Sequence, residues 1–139
     1  MAERLTDIMT RNPVTVDVRD TVIAAARTMR DANIGDVVVL ENGTVRGVLT
    51  DRDIVVRGLA EGRNPSETPV GEVCSREITI LAPTDAITDA ISIMREKAIR
   101  RLPVVQDGRL VGIVSLGDLA VHRDPQSVLG GISAAPPNR

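Results

Sequence analysis

The chain of 139 residues contains no phenylalanine, tyrosine or tryptophan. Its hydrophobic core must therefore be built from valine, isoleucine, leucine, methionine and alanine. A flat ligand would have to be held by aliphatic side chains and backbone groups rather than by ring stacking. The absence also excludes the aromatic base-stacking platforms of proteins that bind single-stranded nucleic acid.

Cysteine, basic charge and long apolar runs are scarce as well. One cysteine cannot form an intramolecular disulfide, which suits a reducing compartment. A net charge of −2 offers no basic surface to nucleic acid or to a membrane. The sequence has neither a signal-peptide pattern nor an apolar run of about 20 residues. We therefore expect a cytoplasmic protein with no nucleic-acid or membrane partner.

One stretch of sequence occurs twice, at positions roughly 65 residues apart. Residues 39–54 and 104–119 each predict two strands joined by a tight turn, followed by the start of a helix. The turns are Asn42-Gly43 and Asp107-Gly108, in which glycine supplies the positive φ that a two-residue hairpin turn needs. The chain is therefore interpreted as a tandem repeat of one structural unit.

Each repeat reads strand, helix, strand, strand, helix, which predicts an α/β (α+β) fold. Apolar spacing predicts helices at 21–33, 51–60, 85–98 and 116–123. Short strands are expected ahead of each hairpin, at 14–16 and 78–80, with Thr15 aligned with Thr79. We divide the chain into a first repeat with its connector at 1–68, a second repeat at 69–124 and a loosely ordered tail at 125–139.

A single repeat of about 60 residues would be marginally stable alone, with one face of its sheet uncovered. We expect the two repeats to pack sheet to sheet about a pseudo-twofold axis, with two equivalent clefts between them. The helix at 85–98 is apolar over more than one face, since Ala86, Ala90 and Ile93 flank the stripe of Ile87, Ile91 and Met94. This excess predicts a second copy of the protein as a packing partner, and so a homodimer.

Two short motifs place a hydroxyl three residues before a carboxylate at the start of the last helix of each repeat. They are Thr50-x-x-Asp53 and Ser115-x-x-Asp118. This spacing fits the helix capping box, in which the hydroxyl accepts from the first turn and the acid accepts from the capping residue. A cap and a ligand contact are compatible roles, and the spacing alone leaves both open.

The sequence carries no constellation that predicts catalysis or a metal site. Asp51 and Asp53 would turn away from each other on a helix, and His122 is the single histidine. There is no glycine-rich phosphate loop, and no Ser-His-Asp or paired-carboxylate arrangement can be defended. We therefore expect no enzyme activity, no metal ion and no required cofactor.

The repeated motif has the form Gly, two apolar residues, Ser or Thr, two variable residues and Asp. It reads Gly-Val-Leu-Thr-Asp-Arg-Asp at 47–53 and Gly-Ile-Val-Ser-Leu-Gly-Asp at 112–118, and Leu-Pro-Val opens the second hairpin at 102–104. In these motifs the repeat resembles the CBS motif. Residues 4–124 as a whole resemble a stand-alone tandem CBS pair, or Bateman module, similar to small bacterial two-CBS proteins of the hypoxia-response type.

The resemblance implies an adenosine-containing ligand in the clefts: AMP, ADP or ATP, with NAD and S-adenosylmethionine less favoured. It assigns the aspartate to the ribose hydroxyls, the neighbouring hydroxyl to a supporting contact, and the threonine of the first strand to the sugar and phosphate. The favoured site comprises Thr79, Arg100, Arg101, Ser115 and Asp118. The second site comprises Thr15, Thr50 and Asp53.

The two sites are not expected to be equal, because the arginine pair that would bind phosphate has no counterpart in the first repeat. Gly35 and Asp36 stand at the equivalent positions, and a carboxylate would repel phosphate. The leading prediction is a sensor that changes the shape of its own dimer or regulates a partner when it binds its ligand. The alternative is a ligand-free CBS pair that serves in interaction or stress response through an unidentified protein partner.

Overall fold

The structure, a computed structural model, describes residues 3–123. The tail expected at 125–139 lies outside these residues. The described residues form two compact units. The first unit is residues 14–78, and the second unit joins residues 3–13 to residues 79–123.

The elements follow the predicted order closely. The helices are α1 (Val22–Ala32), α2 (Asp51–Asp53, continued by a π-helix at Ile54–Leu59), α3 (Ile87–Lys97) and α4 (Leu116–Arg123). The strands are β1 (Thr10–Arg11), β2 (Thr15–Asp17), β3 (Asp36–Glu41), β4 (Thr44–Thr50), β5 (Arg101–Gln106) and β6 (Arg109–Ser115). Two 3₁₀ turns, Leu5–Asp7 and Val70–Glu72, lie in the opening segments of the two repeats. No helix within residues 3–123 is long and apolar enough to cross a membrane.

The first unit is built on a three-stranded sheet in the order β2-β3-β4. Strand β2 runs parallel to β3, and β3 and β4 form the predicted antiparallel hairpin. At its turn Asn42 and Gly43 have φ of 52° and 79°, as a two-residue hairpin turn requires. The core is aliphatic, with Val22, Val37 and Leu49 at most 1% exposed.

The second unit has a three-stranded sheet in the order β1-β6-β5, in which every pairing is antiparallel. Its hairpin turn, Asp107-Gly108, repeats the positive φ pair with 52° and 77°. Leu5, Ile87 and Leu102 lie in its buried cluster. Because β1 comes from the start of the chain, this sheet joins residues from both ends of the sequence.

The opening segments of the two repeats are exchanged between the units. The N–H of Leu5 donates to the carbonyl of Asp85 at 3.0 Å, so the start of the chain packs with the second repeat. In the same way the N–H of Val70 donates to the carbonyl of Asp20 at 2.7 Å. The predicted boundaries of 1–68 and 69–124 therefore follow the sequence repeats, whereas the compact units change over after residues 13 and 78.

The exchanged segments explain the glycine that opens each repeated motif. A Cβ added to Gly47 would lie 2.2 Å from the carbonyl oxygen of Ser75. A Cβ added to Gly112 would lie 2.9 Å from the carbonyl oxygen of Thr10 and 2.7 Å from Sδ of Met9. Only glycine lets the exchanged segment approach the hairpin this closely.

The strand predicted at 78–80 does not form, and that prediction was wrong. In the first unit β2 and β3 are connected by backbone hydrogen bonds that the N–H groups of Val38 and Val18 donate, with lengths of 3.1 and 2.9 Å. Prolines occupy the equivalent positions, 103 and 83, and a proline has no N–H to donate. Only Leu81 pairs with Val104, as an isolated parallel bridge.

This bridge also corrects the alignment of the two repeats. Val104 occupies the place of Val39, whose partner is Val16, so Leu81 is the counterpart of Val16. Thr79 is therefore the counterpart of Val14 rather than of Thr15. The apparent match of Ile78-Thr79-Ile80 with Val14-Thr15-Val16 is therefore displaced by one residue.

Helix α2 departs from regular geometry, although the predicted span of 51–60 is close to the observed one. From Ile54 to Leu59 the turns widen to a π-helix. The N–H of Ala60 donates to the carbonyl of Val55, five residues back, at 2.8 Å. The helix at the equivalent place in the second unit, α4, is a regular α-helix. The two units therefore present different surfaces at their last helices.

Candidate functional site

Both hydroxyl–carboxylate motifs form capping boxes, as their spacing predicted. The N–H of Ser115 donates to Oδ2 of Asp118 at 3.0 Å, and the N–H of Asp118 donates to Oγ of Ser115 at 3.0 Å. The corresponding bonds between Thr50 and Asp53 measure 3.0 and 3.1 Å. Each box holds a half-buried carboxylate at the beginning of a helix.

Four of the five residues predicted for the favoured site meet at one end of the second-unit hairpin. Arg101 is paired with Ser115 across β5 and β6. The N–H of Leu116 donates to the carbonyl of Arg100 at 2.8 Å, which ties the start of α4 to the residue before β5. Asp118 follows on the first turn of α4. We call this group, Arg100, Arg101, Ser115 and Asp118, the second-unit mouth.

Thr10 is a member of this neighbourhood that sequence reasoning missed. Its Oγ1 lies 3.4 Å from each carboxylate oxygen of Asp118, although the two residues are 108 positions apart. The exchange of the opening segments brings Thr10 there, because β1 pairs with β6. No local pattern in the sequence signals this approach.

Thr79 belongs to the second unit, where its segment lies at the β5 edge of the sheet. It precedes Leu81, which pairs with β5 on the edge opposite to β1. The Thr79 side chain is half-buried. Among residues 3–123 no hydrogen bond joins Thr79 to Ser115 or Asp118.

The first-unit mouth, Thr50 with Asp51 and Asp53, has an acidic side chain that the sequence analysis set aside. The N–H of Asp51 donates to the carbonyl of Gly35 at 2.9 Å, the counterpart of the bond from Leu116 to Arg100. Oδ2 of Asp51 lies only 3.0 Å from the place of a Cβ on Gly35. The position of Arg100 in the second unit is therefore taken by Gly35 in the first unit, with the carboxylate of Asp51 beside it.

The other predicted residues of the first unit are separated along its sheet. Thr15 lies exposed on β2, whereas Thr50 ends β4, on the far side of β3. Oδ1 of Asp53 lies 3.9 Å from Nε of Arg57, one helical turn later. The Asp53 carboxylate thus has a cation of its own chain nearby, in addition to its capping role.

The remaining reactive side chains do not assemble into a centre. Within the described part of the chain, no three His, Cys, Asp or Glu side chains are placed to hold a metal ion. Burial raises the pKa of the Cys74 thiol, which packs in the core of the first unit. A raised pKa leaves less of the reactive thiolate at neutral pH.

Comparison with known proteins identifies the repeat. The model of the CBS domain family matches residues 5–59 and 70–123. The chain is 45% identical over 117 residues to the CBS domain-containing protein YhcV of Bacillus subtilis, covering 84% of this chain and 83% of that protein. It is 35% identical over 129 residues to Hypoxic response protein 1 of Mycobacterium tuberculosis, covering 92% of this chain and 90% of that protein.

Solved structures agree with the family assignment. A crystal structure of Hypoxic Response Protein I with two coordinated zinc ions superposes with a TM-score of 0.79 at 37% identity, covering 86% of this chain and 98% of that one. The CBS domain pair of protein MJ0100, in complex with 5′-methylthioadenosine and S-adenosyl-L-methionine, gives a TM-score of 0.80 at 22% identity, covering 91% of this chain and 100% of that one. This chain belongs to the CBS domain family, and it carries two CBS domains in tandem.

Proposed function

We propose that the chain is a regulatory module that binds an adenosine-containing ligand of the AMP, ADP or ATP kind at the second-unit mouth. The observation that carries this proposal is the half-buried Asp118 carboxylate at the start of α4, close in the backbone to two arginines: Leu116, the first residue of α4, bonds to the carbonyl of Arg100, and Ser115 pairs with Arg101. A carboxylate acceptor in the same group as two cations suits a ribose joined to phosphate. NAD and S-adenosylmethionine are less favoured ligands.

Asp118 retains acceptor capacity for ribose hydroxyls. The N–H of Ser115 occupies one position on Oδ2 at 3.0 Å. The hydroxyl of Thr10 is 3.4 Å from each oxygen, which is long for a bond between oxygens, so a ligand hydroxyl can replace it. A hydrogen bond to a charged acceptor contributes about 1.5–3 kcal/mol.

The charges support a single phosphate-binding mouth. Arg100 and Arg101 belong to the second-unit mouth with Asp118, whereas Gly35 and Asp36 stand at the equivalent places in the first unit, where the Asp51 carboxylate lies close to Gly35. A phosphate would be attracted to the second unit and repelled from the first. Micromolar affinity requires only about −8 kcal/mol, which two or three charge-assisted bonds and a base held by aliphatic side chains supply. Thr79 is proposed as a further contact to the ligand.

The proposed action is regulatory rather than catalytic. Ligand binding would favour one arrangement of the chain or of its homodimer, and so alter a partner protein in the cytoplasm. The alternative is a ligand-free CBS pair that acts through protein contacts alone. The acidic first-unit mouth is consistent with a pocket that no longer binds a phosphate-bearing ligand. Ligand binding must therefore be tested at both mouths.

The test uses the absence of aromatic residues. Purified protein has almost no near-ultraviolet absorption of its own, so a retained nucleobase is directly visible and can be identified by mass spectrometry. Thermal unfolding is then measured with AMP, ADP, ATP, NAD and S-adenosylmethionine. A ligand at 100 times its dissociation constant should add about 2.7 kcal/mol, or several degrees in Tm. No retained base and no shift with any compound would overturn the proposal in favour of the ligand-free alternative.

A further inference from the structure

Thr10 of β1 and a bound ribose would use the same acceptor at the second-unit mouth. Oγ1 of Thr10 lies 3.4 Å from each carboxylate oxygen of Asp118. A ribose carries two hydroxyls on adjacent carbons, and together they would contact the same pair of oxygens. The N–H of Ser115 already donates to Oδ2 at 3.0 Å, which limits the remaining acceptor capacity. A ribose bound to this carboxylate therefore competes with Thr10.

The contact between Thr10 and Asp118 is weak enough to be replaced. Hydrogen bonds between two oxygens are usually about 2.5–3.0 Å long. This contact, at 3.4 Å, is longer. Thr10 is also exposed, so water can accept its hydroxyl when that hydroxyl leaves the carboxylate. The contact can therefore open and close at little cost in free energy.

Strand β1 has few other bonds to the second unit. It consists of Thr10 and Arg11, which pair with Ile113 and Gly112 of β6. The guanidinium of Arg11 donates to the hydroxyl of Thr6 at 3.0 Å, which is a bond within the opening segment itself. Among the described residues, no other side-chain hydrogen bond from β1 reaches beyond that segment. The contact with the mouth is thus a substantial part of what holds this strand.

Strand β1 also lies where the chain leaves the second unit. Met9, directly before the strand, is buried in the core of that unit. The compact units change over after residue 13. Between them Asn12 has a φ of 53° and is followed by Pro13. A change in how firmly β1 is held is therefore passed directly to the segment that enters the first unit.

The first unit lacks this arrangement. Ser75 is the counterpart of Thr10, because its pairing with Val48 of β4 matches the pairing of β1 with β6. Within residues 3–123 the hydroxyl of Ser75 forms no hydrogen bond with Asp53. Nε of Arg57 lies 3.9 Å from that carboxylate instead. The hydroxyl contact is therefore specific to the mouth that is proposed to bind the ligand.

We propose that Thr10 is an internal competitor for Asp118, and that ligand binding displaces it and frees the end of β1. The inference rests on the proposed function, because the displacing group is the ribose of the ligand. It adds the element that responds to the ligand, namely residues 10–13 at the end of the opening segment. In the ligand-free chain Thr10 holds β1 to the mouth, and in the liganded chain the ribose takes its place.

Competition of this kind makes two measurable factors equal. The apparent affinity for the ligand is reduced to the fraction of molecules in which the carboxylate is free of Thr10. Saturating ligand raises that fraction to one. Since the amides of β1 exchange from the released strand, their protection against hydrogen exchange falls by the same factor. We expect a factor of about three, at the low end of what one hydrogen bond contributes.

Removal of the hydroxyl tests the competition. Thr10→Val deletes the hydroxyl and keeps a β-branched side chain for the strand, whereas Thr10→Ser keeps the hydroxyl. Ser75→Ala deletes the counterpart hydroxyl of the first unit and is the matched control. By calorimetry, Thr10→Val should bind AMP and adenosine about threefold more tightly than the parent. The other two variants should bind as the parent does, and AMP and adenosine should give the same factor because the phosphate takes no part.

Hydrogen exchange followed by NMR on the full-length chain tests the release of β1. Without ligand, Thr10→Val should lower the protection of the amides of residues 10–12 about threefold. Saturating AMP should lower it equally in the parent and should have no further effect in Thr10→Val. Thr10→Ser and Ser75→Ala should retain the protection of the parent.

Three results would overturn the inference. Weaker binding of AMP by Thr10→Val would show that the hydroxyl contacts the ligand rather than competing with it. Protection of residues 10–12 that is the same in the ligand-free parent and in ligand-free Thr10→Val would show that the hydroxyl does not hold β1. Protection that AMP leaves unchanged in a parent that binds it would refute the release while the proposed function stands. Failure of the proposed function is recognised separately, because the parent alone then gives no calorimetric signal with AMP or adenosine.

Discussion

Ser115 and Asp118 hold each other through two reciprocal hydrogen bonds, each 3.0 Å long. The same carboxylate that caps α4 is the proposed ribose acceptor. A substitution at Asp118 therefore removes two functions at once, stability and binding. The first unit supplies the control, because Thr50 and Asp53 form an identical box beside an acidic side chain.

Asp118→Ala and Asp53→Ala should differ in binding but not in stability. Each variant loses one capping box, which costs about 1 kcal/mol in the free energy of unfolding. Only Asp118→Ala should also lose the increase in Tm that a saturating adenine nucleotide gives. Thermal unfolding with and without nucleotide measures both effects. A nucleotide shift that survives Asp118→Ala and disappears in Asp53→Ala would place the ligand in the first unit instead.

Substitution of the arginines should affect phosphate-bearing ligands selectively. Arg100→Gln and Arg101→Gln each remove a cation while keeping a polar, unbranched side chain that can donate a hydrogen bond. At least one of them should lower AMP affinity by about 10-fold or more, since a charge-assisted bond contributes about 1.5–3 kcal/mol. Adenosine affinity, measured by calorimetry on the same samples, should stay unchanged. Equal losses for AMP and adenosine would show that the arginines act on the fold rather than on phosphate.

The loss of stability when a motif glycine is replaced by alanine should depend on which atoms the added methyl group contacts. Gly47→Ala would drive a Cβ to 2.2 Å from a backbone oxygen, and it should destabilise more than Gly112→Ala, whose nearest contact is the flexible Met9 side chain at 2.7 Å. Overpacking of this kind costs about 1–3 kcal/mol. Gly58→Ala is the control, because nothing lies within 4 Å of its Cβ position and a helix favours alanine. Urea unfolding gives the three values, and a Gly47→Ala chain as stable as the parent would refute the close approach.

Cys74 should be unreactive in the folded protein. Burial raises the pKa of its thiol, so at about pH 8 a smaller fraction is thiolate than in a free cysteine. A thiol-specific reagent should therefore label the native protein slowly and the urea-unfolded protein at once, with the native rate rising as the pH is increased. Labelling is followed by mass spectrometry. Equally fast labelling of the two states would indicate an open core around Val70 and Val73.

The local features of this protein were readable from its sequence. Two hairpins with a positive φ pair, two capping boxes and four helices came from short-range rules, because a turn or a cap is decided by residues three or four positions apart. The duplication and the motif Gly-x-x-Thr/Ser-x-x-Asp were sufficient for the family, which the comparison then established. The arginine pair of the second unit and its absence from the first were visible in the same way.

The tertiary structure decided what depends on approach between distant residues. It exchanged the opening segments, placed Thr10 beside Asp118 across 108 positions, and set the Asp51 carboxylate against Gly35. It also removed the strand expected at 78–80, because a strand needs N–H donors from its neighbour and the proline at position 103 has none. A sequence specifies which groups can donate, accept or fill space. Which of them meet is set by the packing of the whole chain, and that packing brought Thr10 to Asp118 and exchanged the opening segments of the two repeats.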